Sequence, residues 1–137
     1  VFSPSSKILV VDDSVNHRQL IVDSLRRLGF KNVIAVGDVK AAFSSLNDEK
    51  KKSYPYDLVL SDLNMPGLSG LDFLRMTRET SGFEDIPFIL ITTESEKGAV
   101  IQAATNGVSS YIVKPFSADI LAKRMGEAWN KHNKEAS

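Results

Sequence analysis

Five short apolar runs, spread along the chain, constrain the fold more than any other feature of this sequence. Each run is continuous rather than alternating, is rich in β-branched residues, and is bounded by polar residues, glycine or proline. Such runs are typical of strands that are buried on both faces, as in a parallel sheet. They occupy residues 8–11, 33–36, 58–60, 88–91 and 111–113.

The segments between these runs repeat their apolar residues with the period of an α-helix. Val39, Ala42, Phe43 and Leu46, for example, are spaced i, i+3, i+4 and i+7 and share one helix face. Helical patterns also follow the other four runs. Strand and helix therefore alternate five times, which predicts an α/β fold: a (βα)5 doubly wound, five-stranded parallel sheet with helices on both faces.

Length and composition fit a single soluble domain. We assign residues 7–133 to this domain, residues 1–6 to an N-terminal tail or an artificial remnant, and residues 134–137 to a C-terminal tail. Seventeen basic residues balance seventeen acidic ones, and there is no cysteine. Neither nucleic acid nor membrane is therefore an expected partner, and thiolate chemistry is excluded. No apolar run approaches the roughly 20 residues that span a bilayer, so we expect a soluble, cytoplasmic protein. We also expect it to be a monomer.

Three other features have ordinary interpretations. Residues 48–55 show no periodicity, and we interpret them as a solvated helix end and loop in preference to a basic docking patch. His17 is interpreted as a solvated helix residue. Trp129 is expected to pack on the sheet edge rather than to bind a ligand.

Reactive side chains follow four of the five predicted strands, at the edge where open parallel sheets bind their ligands. They are Asp12 and Asp13 after the first strand, Asp62 after the third, Thr92 and Glu94 after the fourth, and Lys114 after the fifth. Each alone has an ordinary explanation, since an Asp-Asp pair often caps a helix and a lysine before proline often lies on the surface. Their occurrence at successive strand ends indicates a shared site.

The chemistry of this set favours a hard cation and a phosphoryl group. Three neighbouring carboxylates repel one another unless a cation intervenes, and oxygen ligands without His or Cys suit Mg²⁺. A carboxylate can also act as a nucleophile and form an aspartyl phosphate. The Lys114 ammonium and the Thr92 hydroxyl can each pair with a phosphoryl oxygen.

Four ordered motifs resemble those of response-regulator receiver domains, and the resemblance extends over about residues 7–129. The motifs are ILVVDDS at 8–14, LSDLNMPG at 60–67, ITTE at 91–94 and YIVKPF at 111–116. Within this family the chain is similar to the single-domain, CheY-like chemotaxis regulators. The resemblance implies a flavodoxin-like, CheY-like sheet with strand order 2-1-3-4-5.

The resemblance also implies a role for each site residue. Asp62 matches the phosphoacceptor, and Lys114 matches the lysine that pairs with phosphate and precedes a cis proline. Thr92 matches the switch hydroxyl and Tyr111 the switch aromatic, although a half-buried strand aromatic would fit the same position. The implied Mg²⁺ ligands are Asp13, Asp62, the backbone carbonyl of Asn64, and Asp12 through metal-bound water.

Asn64 and Glu94 lie two residues beyond Asp62 and Thr92 respectively. The resemblance implies that their side chains set how fast the acyl phosphate hydrolyses, and the Asn/Glu pairing is similar to that of short-lived chemotaxis regulators. A plain surface position for Glu94 remains an alternative.

The implied function is a signalling switch and not an enzyme that turns over a separate substrate. A histidine kinase, of chemotaxis type, would phosphorylate Asp62, and the surface of the fourth helix, fifth strand and fifth helix would bind an output protein such as the flagellar motor switch. A phosphatase is a further expected partner. Glu96, where chemotaxis members carry lysine, and the longer loop at residues 49–54 leave the output partner open.

Three alternatives to this function share some of these sequence features. The chain would also fit a receiver fragment of a larger regulator or hybrid kinase. An aspartyl-phosphate phosphatase would need a general acid where the chain has Asn64. A flavin-binding flavodoxin would need a phosphate-binding loop where Asp12 and Asp13 repel phosphate.

Overall fold

The computed structural model describes residues 1–93 and 97–133, in which five strands alternate with five helices. The elements are β1 (Lys7–Val11), α1 (Val15–Arg27), β2 (Asn32–Val36), α2 (Val39–Lys51), β3 (Leu58–Asp62), α3 (Gly70–Glu79), β4 (Phe88–Thr92), α4 (Lys97–Thr105), β5 (Ser110–Val113) and α5 (Ala118–Asn133). The predicted (βα)5 alternation is therefore confirmed.

The strands form one parallel sheet in the order β2-β1-β3-β4-β5, as the sequence resemblance implied. The order reverses between β1 and β3, which is where open sheets of this kind bind ligands. In the register of this pair, Val11 lies beside Ser61, so that the residues after β1 lie beside the end of β3. On the other side of β3, Asp62 pairs with Ile91, one residue before Thr92.

Apolar side chains fill both faces of the sheet and form two separate clusters. Because successive strand residues point to opposite faces, Leu9 and Val11 join the cluster on one face and Ile8 and Val10 the cluster on the other. Helices α2, α3 and α4 cover the first cluster, and α1 and α5 cover the second.

The expectation that all five strands are buried on both faces is wrong for β2 and β5. Strands β1, β3 and β4 are buried along their whole length, whereas every residue of β2 is half-buried or exposed and β5 alternates between buried and half-buried. The two less buried strands are the outer ones, each with a single neighbour. An outer strand leaves part of its surface beyond the reach of the covering helices.

Three helices begin directly beyond the carboxyl edge of the sheet, each with a capping side chain. Ser14 accepts from the backbone N–H of His17, and Asp38 accepts from that of Ala41. Ser69 forms a capping box with Asp72 at the start of α3. Ser14 directly follows the predicted site residues Asp12 and Asp13, and Ser69 ends the loop that contains Asn64.

At the opposite edge of the sheet, the Lys7 side chain is buried with only 2% of its surface exposed. Its ammonium lies 3.0 Å from a Glu49 carboxylate oxygen and donates to the Tyr54 carbonyl at 3.1 Å. It also lies over the rings of Tyr54 and Tyr56. Residues 48–51 are indeed a helix end, but this segment also binds the start of β1 and is more than a solvated loop.

The N-terminal residues pack on the last helix. Phe2 is 7% exposed and meets the Trp129 ring edge-on, with 5.0 Å between ring centroids. Trp129 packs against the cluster beneath α1 and α5. Among the helices that the structure describes, none is long and apolar enough to cross a membrane.

Candidate functional site

The sheet topology brings Asp12, Asp13 and Asp62 together. One carboxylate oxygen from each lies within 4.8 Å of the others. Asp12 is completely buried, Asp62 is 7% exposed and Asp13 is exposed to solvent. The cluster thus has a buried floor and an open side, which leaves access for a ligand.

The Lys114 ammonium binds two of these carboxylates. Its Nζ lies 3.2 Å from Asp12 Oδ2 and 3.1 Å from Asp62 Oδ1. A third contact, at 3.1 Å, joins Nζ to Nδ1 of His17. The peptide bond between Lys114 and Pro115 is cis, as the resemblance implied.

The positive charge of Lys114 does not balance the effects of burial and of the neighbouring carboxylates on Asp62. Burial raises the pKa of Asp62, the hydrogen bond from Lys114 lowers it, and the negative charges of Asp12 and Asp13 raise it again, with a net upward shift. One ammonium therefore does not compensate for three carboxylates. A second cation at this place would stabilise the ionised form of Asp62.

The donor set fits a magnesium ion. The three carboxylates of the cluster are oxygen ligands. The fourth predicted ligand, the backbone carbonyl of Asn64, belongs to an exposed residue two positions after the end of β3. Mg²⁺ prefers one or two carboxylates and keeps several waters, and the open side at Asp13 leaves room for them. Asp12, Asp13, Asp62 and the Asn64 carbonyl are the groups that would hold the ion.

The two predicted switch residues lie on neighbouring strands. Thr92 ends β4, is 1% exposed, and its hydroxyl donates to the Thr93 carbonyl at 3.4 Å. Tyr111 on β5 is half-buried, and the Arg124 guanidinium lies 5.3 Å from its ring centroid. A half-buried position fits both a switch and an ordinary strand aromatic. Glu94 and Glu96 lie outside the described residues.

Two residues at the start of α1, neither of them a predicted site residue, contact the site. His17 is exposed, as predicted, but it also binds Lys114. Arg18 donates from Nη1 to the Asp12 backbone carbonyl at 2.9 Å. Their position in the first turn of α1 places both residues near the edge of the sheet, but it does not predict which side chains they contact.

The comparisons with known proteins agree on one family. The model of the response regulator receiver domain matches residues 8–126. The chemotaxis protein CheY of Pseudomonas aeruginosa is 35% identical, with 93% of this chain and 98% of that protein covered. CheY1 of Helicobacter pylori is 39% identical, with 87% and 93% covered. The solved structure of CheY4 of Vibrio cholerae superimposes with a TM-score of 0.77 and 28% identity, covering 90% of this chain and 98% of that one.

Proposed function

The chain belongs to the family of response regulator receiver domains, and we propose that it signals by accepting a phosphoryl group on Asp62. The observation that carries this proposal is the position of Lys114, which binds Asp62 and Asp12 next to the exposed Asp13. These contacts support the proposal, because the proposed nucleophile lies beside carboxylates that could hold a cation and an ammonium that could pair with phosphate.

In the proposed reaction, a carboxylate oxygen of Asp62 attacks the phosphorus of a phosphohistidine on a histidine kinase. An O–P bond forms as the N–P bond breaks, and the histidine leaves with the bonding electron pair and takes up a proton. When bound by the carboxylates, Mg²⁺ supplies positive charge that offsets the repulsion between Asp62 and the incoming group. Lys114, already 3.1 Å from Asp62, pairs with one phosphoryl oxygen.

The remaining predicted residues act after transfer. The Thr92 hydroxyl donates to a second phosphoryl oxygen, and Tyr111 turns inward as the phosphorylated conformer becomes the more populated one. The altered surface of α4, β5 and α5 then binds the output protein. Asn64 and Glu94 set the lifetime of the phosphate by their contact with the attacking water.

We propose that the partners are those of chemotaxis signalling in the cytoplasm. A chemotaxis-type histidine kinase supplies the phosphoryl group, an output protein such as the flagellar motor switch binds the phosphorylated monomer, and a phosphatase shortens the signal. Support comes from the similarity to CheY proteins over most of the chain. We assign residues 7–133 to the receiver domain, which includes the 8–126 that the family model matches, and Phe2 from the preceding segment packs on its last helix.

The proposal is tested by incubating the protein with radiolabelled acetyl phosphate and Mg²⁺. The wild type and an Asp119→Asn control, which changes an exposed carboxylate on α5, are expected to carry acid-stable, base-labile label. Asp62→Asn is expected to carry none, and chelation of Mg²⁺ is expected to prevent labelling of the wild type. Equal labelling of Asp62→Asn and wild type would show that the nucleophile is another residue.

A further inference from the structure

The Lys114 ammonium is held by three acceptors that come from three parts of the chain. A lysine ammonium has three N–H donors, and here Asp12 Oδ2, Asp62 Oδ1 and His17 Nδ1 lie at 3.2, 3.1 and 3.1 Å from its nitrogen. The carboxylates belong to the proposed phosphoacceptor site. The imidazole of His17, one helical turn into α1, has no part in that function so far.

The backbone that carries His17 is fixed relative to the sheet. The His17 N–H donates to the cap residue Ser14 at 3.3 Å, and the Ser14 N–H donates to Asp12 Oδ1 at 2.9 Å. The next residue, Arg18, binds the Asp12 carbonyl. The first turn of α1 is therefore connected on both sides of His17 to the same residue that Lys114 binds.

An imidazole suits this position better than a carboxylate would. For the Lys114 ammonium to donate to it, Nδ1 must carry no proton, so the contact requires the tautomer with the ring proton on Nε2. A neutral acceptor anchors the lysine without adding negative charge to a site that already holds three carboxylates. A fourth carboxylate would repel an incoming phosphoryl group and would compete for the positive charge of Lys114.

We propose that His17 is a positioning residue for Lys114. It holds the ammonium over the phosphoacceptor before transfer, and it keeps one anchor in place when the ammonium turns from Asp62 to a phosphoryl oxygen. The second part rests on the proposed function, whereas the first concerns the unphosphorylated protein alone. Without this acceptor the lysine, a flexible chain of four carbons, spends less time in the productive position.

Three variants separate this role from a structural one. His17→Leu removes the acceptor. His17→Asn keeps an acceptor, since its side-chain carbonyl can occupy about the position of Nδ1. Gln19→Leu is the matched control, because residues two apart on a helix do not face each other and Gln19 bonds Asp23 instead.

The first measurement is the ¹⁵N signal of the Lys114 ammonium in the unphosphorylated protein, identified by its loss in Lys114→Arg. We expect a shifted or exchange-broadened signal in His17→Leu, and a signal close to the wild type in His17→Asn and Gln19→Leu. An unchanged signal in His17→Leu, or equal changes in the Asn and Leu variants, would overturn the proposal. This measurement holds whether or not Asp62 is ever phosphorylated.

The second measurement is the initial rate of labelling by acetyl phosphate with Mg²⁺. Loss of one hydrogen bond predicts a decrease of about five-fold in His17→Leu, with a rate near the wild type in His17→Asn and Gln19→Leu. Equal rates in all variants would refute a role in transfer even if the ammonium signal changes. A wild type that takes no label would instead refute the proposed function and leave the ammonium signal to decide whether His17 positions Lys114.

Discussion

At the scale of single residues, the surroundings of the Asp62 carboxylate disfavour its ionised form. Burial and the negative charges of Asp12 and Asp13 raise its pKa, and the hydrogen bond from Lys114 does not reverse this upward shift. A carboxyl whose pKa is raised by folding binds its proton more readily in the folded state. Its ionised form therefore weakens the fold above the raised pKa, and this penalty disappears as the pH falls below the ordinary value.

Asp62→Asn removes the penalty, so we expect this variant to be more stable than the wild type at neutral pH in the absence of divalent metal. The expected gain is about 1 kcal/mol. It should shrink as the pH is lowered toward 3.8, the ordinary pKa of the group. Urea denaturation in a chelating buffer over a series of pH values measures it. A stability gain of Asp62→Asn that increased as the pH fell would contradict the raised pKa of Asp62.

Some contacts between residues of the site could be predicted from the sequence, and others could not. The meeting of Asp12, Asp13 and Asp62 was predictable, because carboxyl ends of parallel strands share one edge whatever the details of packing. The contact between His17 and Lys114 was not, since it depends on the direction in which α1 leaves β1 and on side-chain rotamers. The spacing of apolar residues predicts neither the direction of a helix nor the rotamers of its polar side chains.

At the scale of elements, the junction between β3 and α3 depends on one close approach. A Cβ added to Gly70, the first residue of α3, would lie 2.2 Å from the backbone carbonyl oxygen of Asp62. The Gly70 N–H donates to the Leu63 carbonyl at 2.9 Å, so the start of the helix is bound to the end of the strand. Glycine is required here for space, because any side chain would displace the strand that carries Asp62.

We therefore expect Gly70→Ala to lose about 1–3 kcal/mol of unfolding free energy and to label more slowly with acetyl phosphate. Gly126→Ala is the matched control, since an added Cβ within α5 meets no atom within 4 Å. The control should gain about 0.5–1 kcal/mol, because alanine loses less conformational entropy in a helix. Chemical denaturation of both variants measures the difference, and equal stability of Gly70→Ala and wild type would contradict the steric argument.

The strands and helices themselves were predictable because two distinct apolar periods alternate along the chain. The apolar periods alone do not give the position of each strand in the sheet. The lower burial of β2 and β5 follows from their outer positions in the strand order that the resemblance implied. The burial of Lys7 was missed. A lysine at the start of a strand usually lies on the surface, and only the folded chain brings Glu49 and Tyr54 to its ammonium.

At the scale of the whole molecule, the first residues of the chain belong to the packed structure. Phe2 closes the apolar cluster beneath α1 and α5 at the end that Trp129 occupies.

We expect Phe2→Ala to cost about 3 kcal/mol of unfolding free energy, as removal of a buried aromatic ring usually does. Val1→Ala, at a position that is 89% exposed, should change stability by less than about 0.5 kcal/mol. Thermal and urea unfolding measure both, and equal effects would show that Phe2 does not contribute to the core.

The salt bridge between Lys114 and Asp12 joins residues 102 positions apart. Together with Asp62 and Thr92, it makes the site a product of four strands that meet only when the sheet is complete. A chain still on the ribosome without β5 lacks Lys114, and a cut between Asp12 and Asp62 separates the proposed phosphoacceptor from the buried carboxylate of Asp12. Labelling of Asp62, as proposed above, would therefore require a complete sheet.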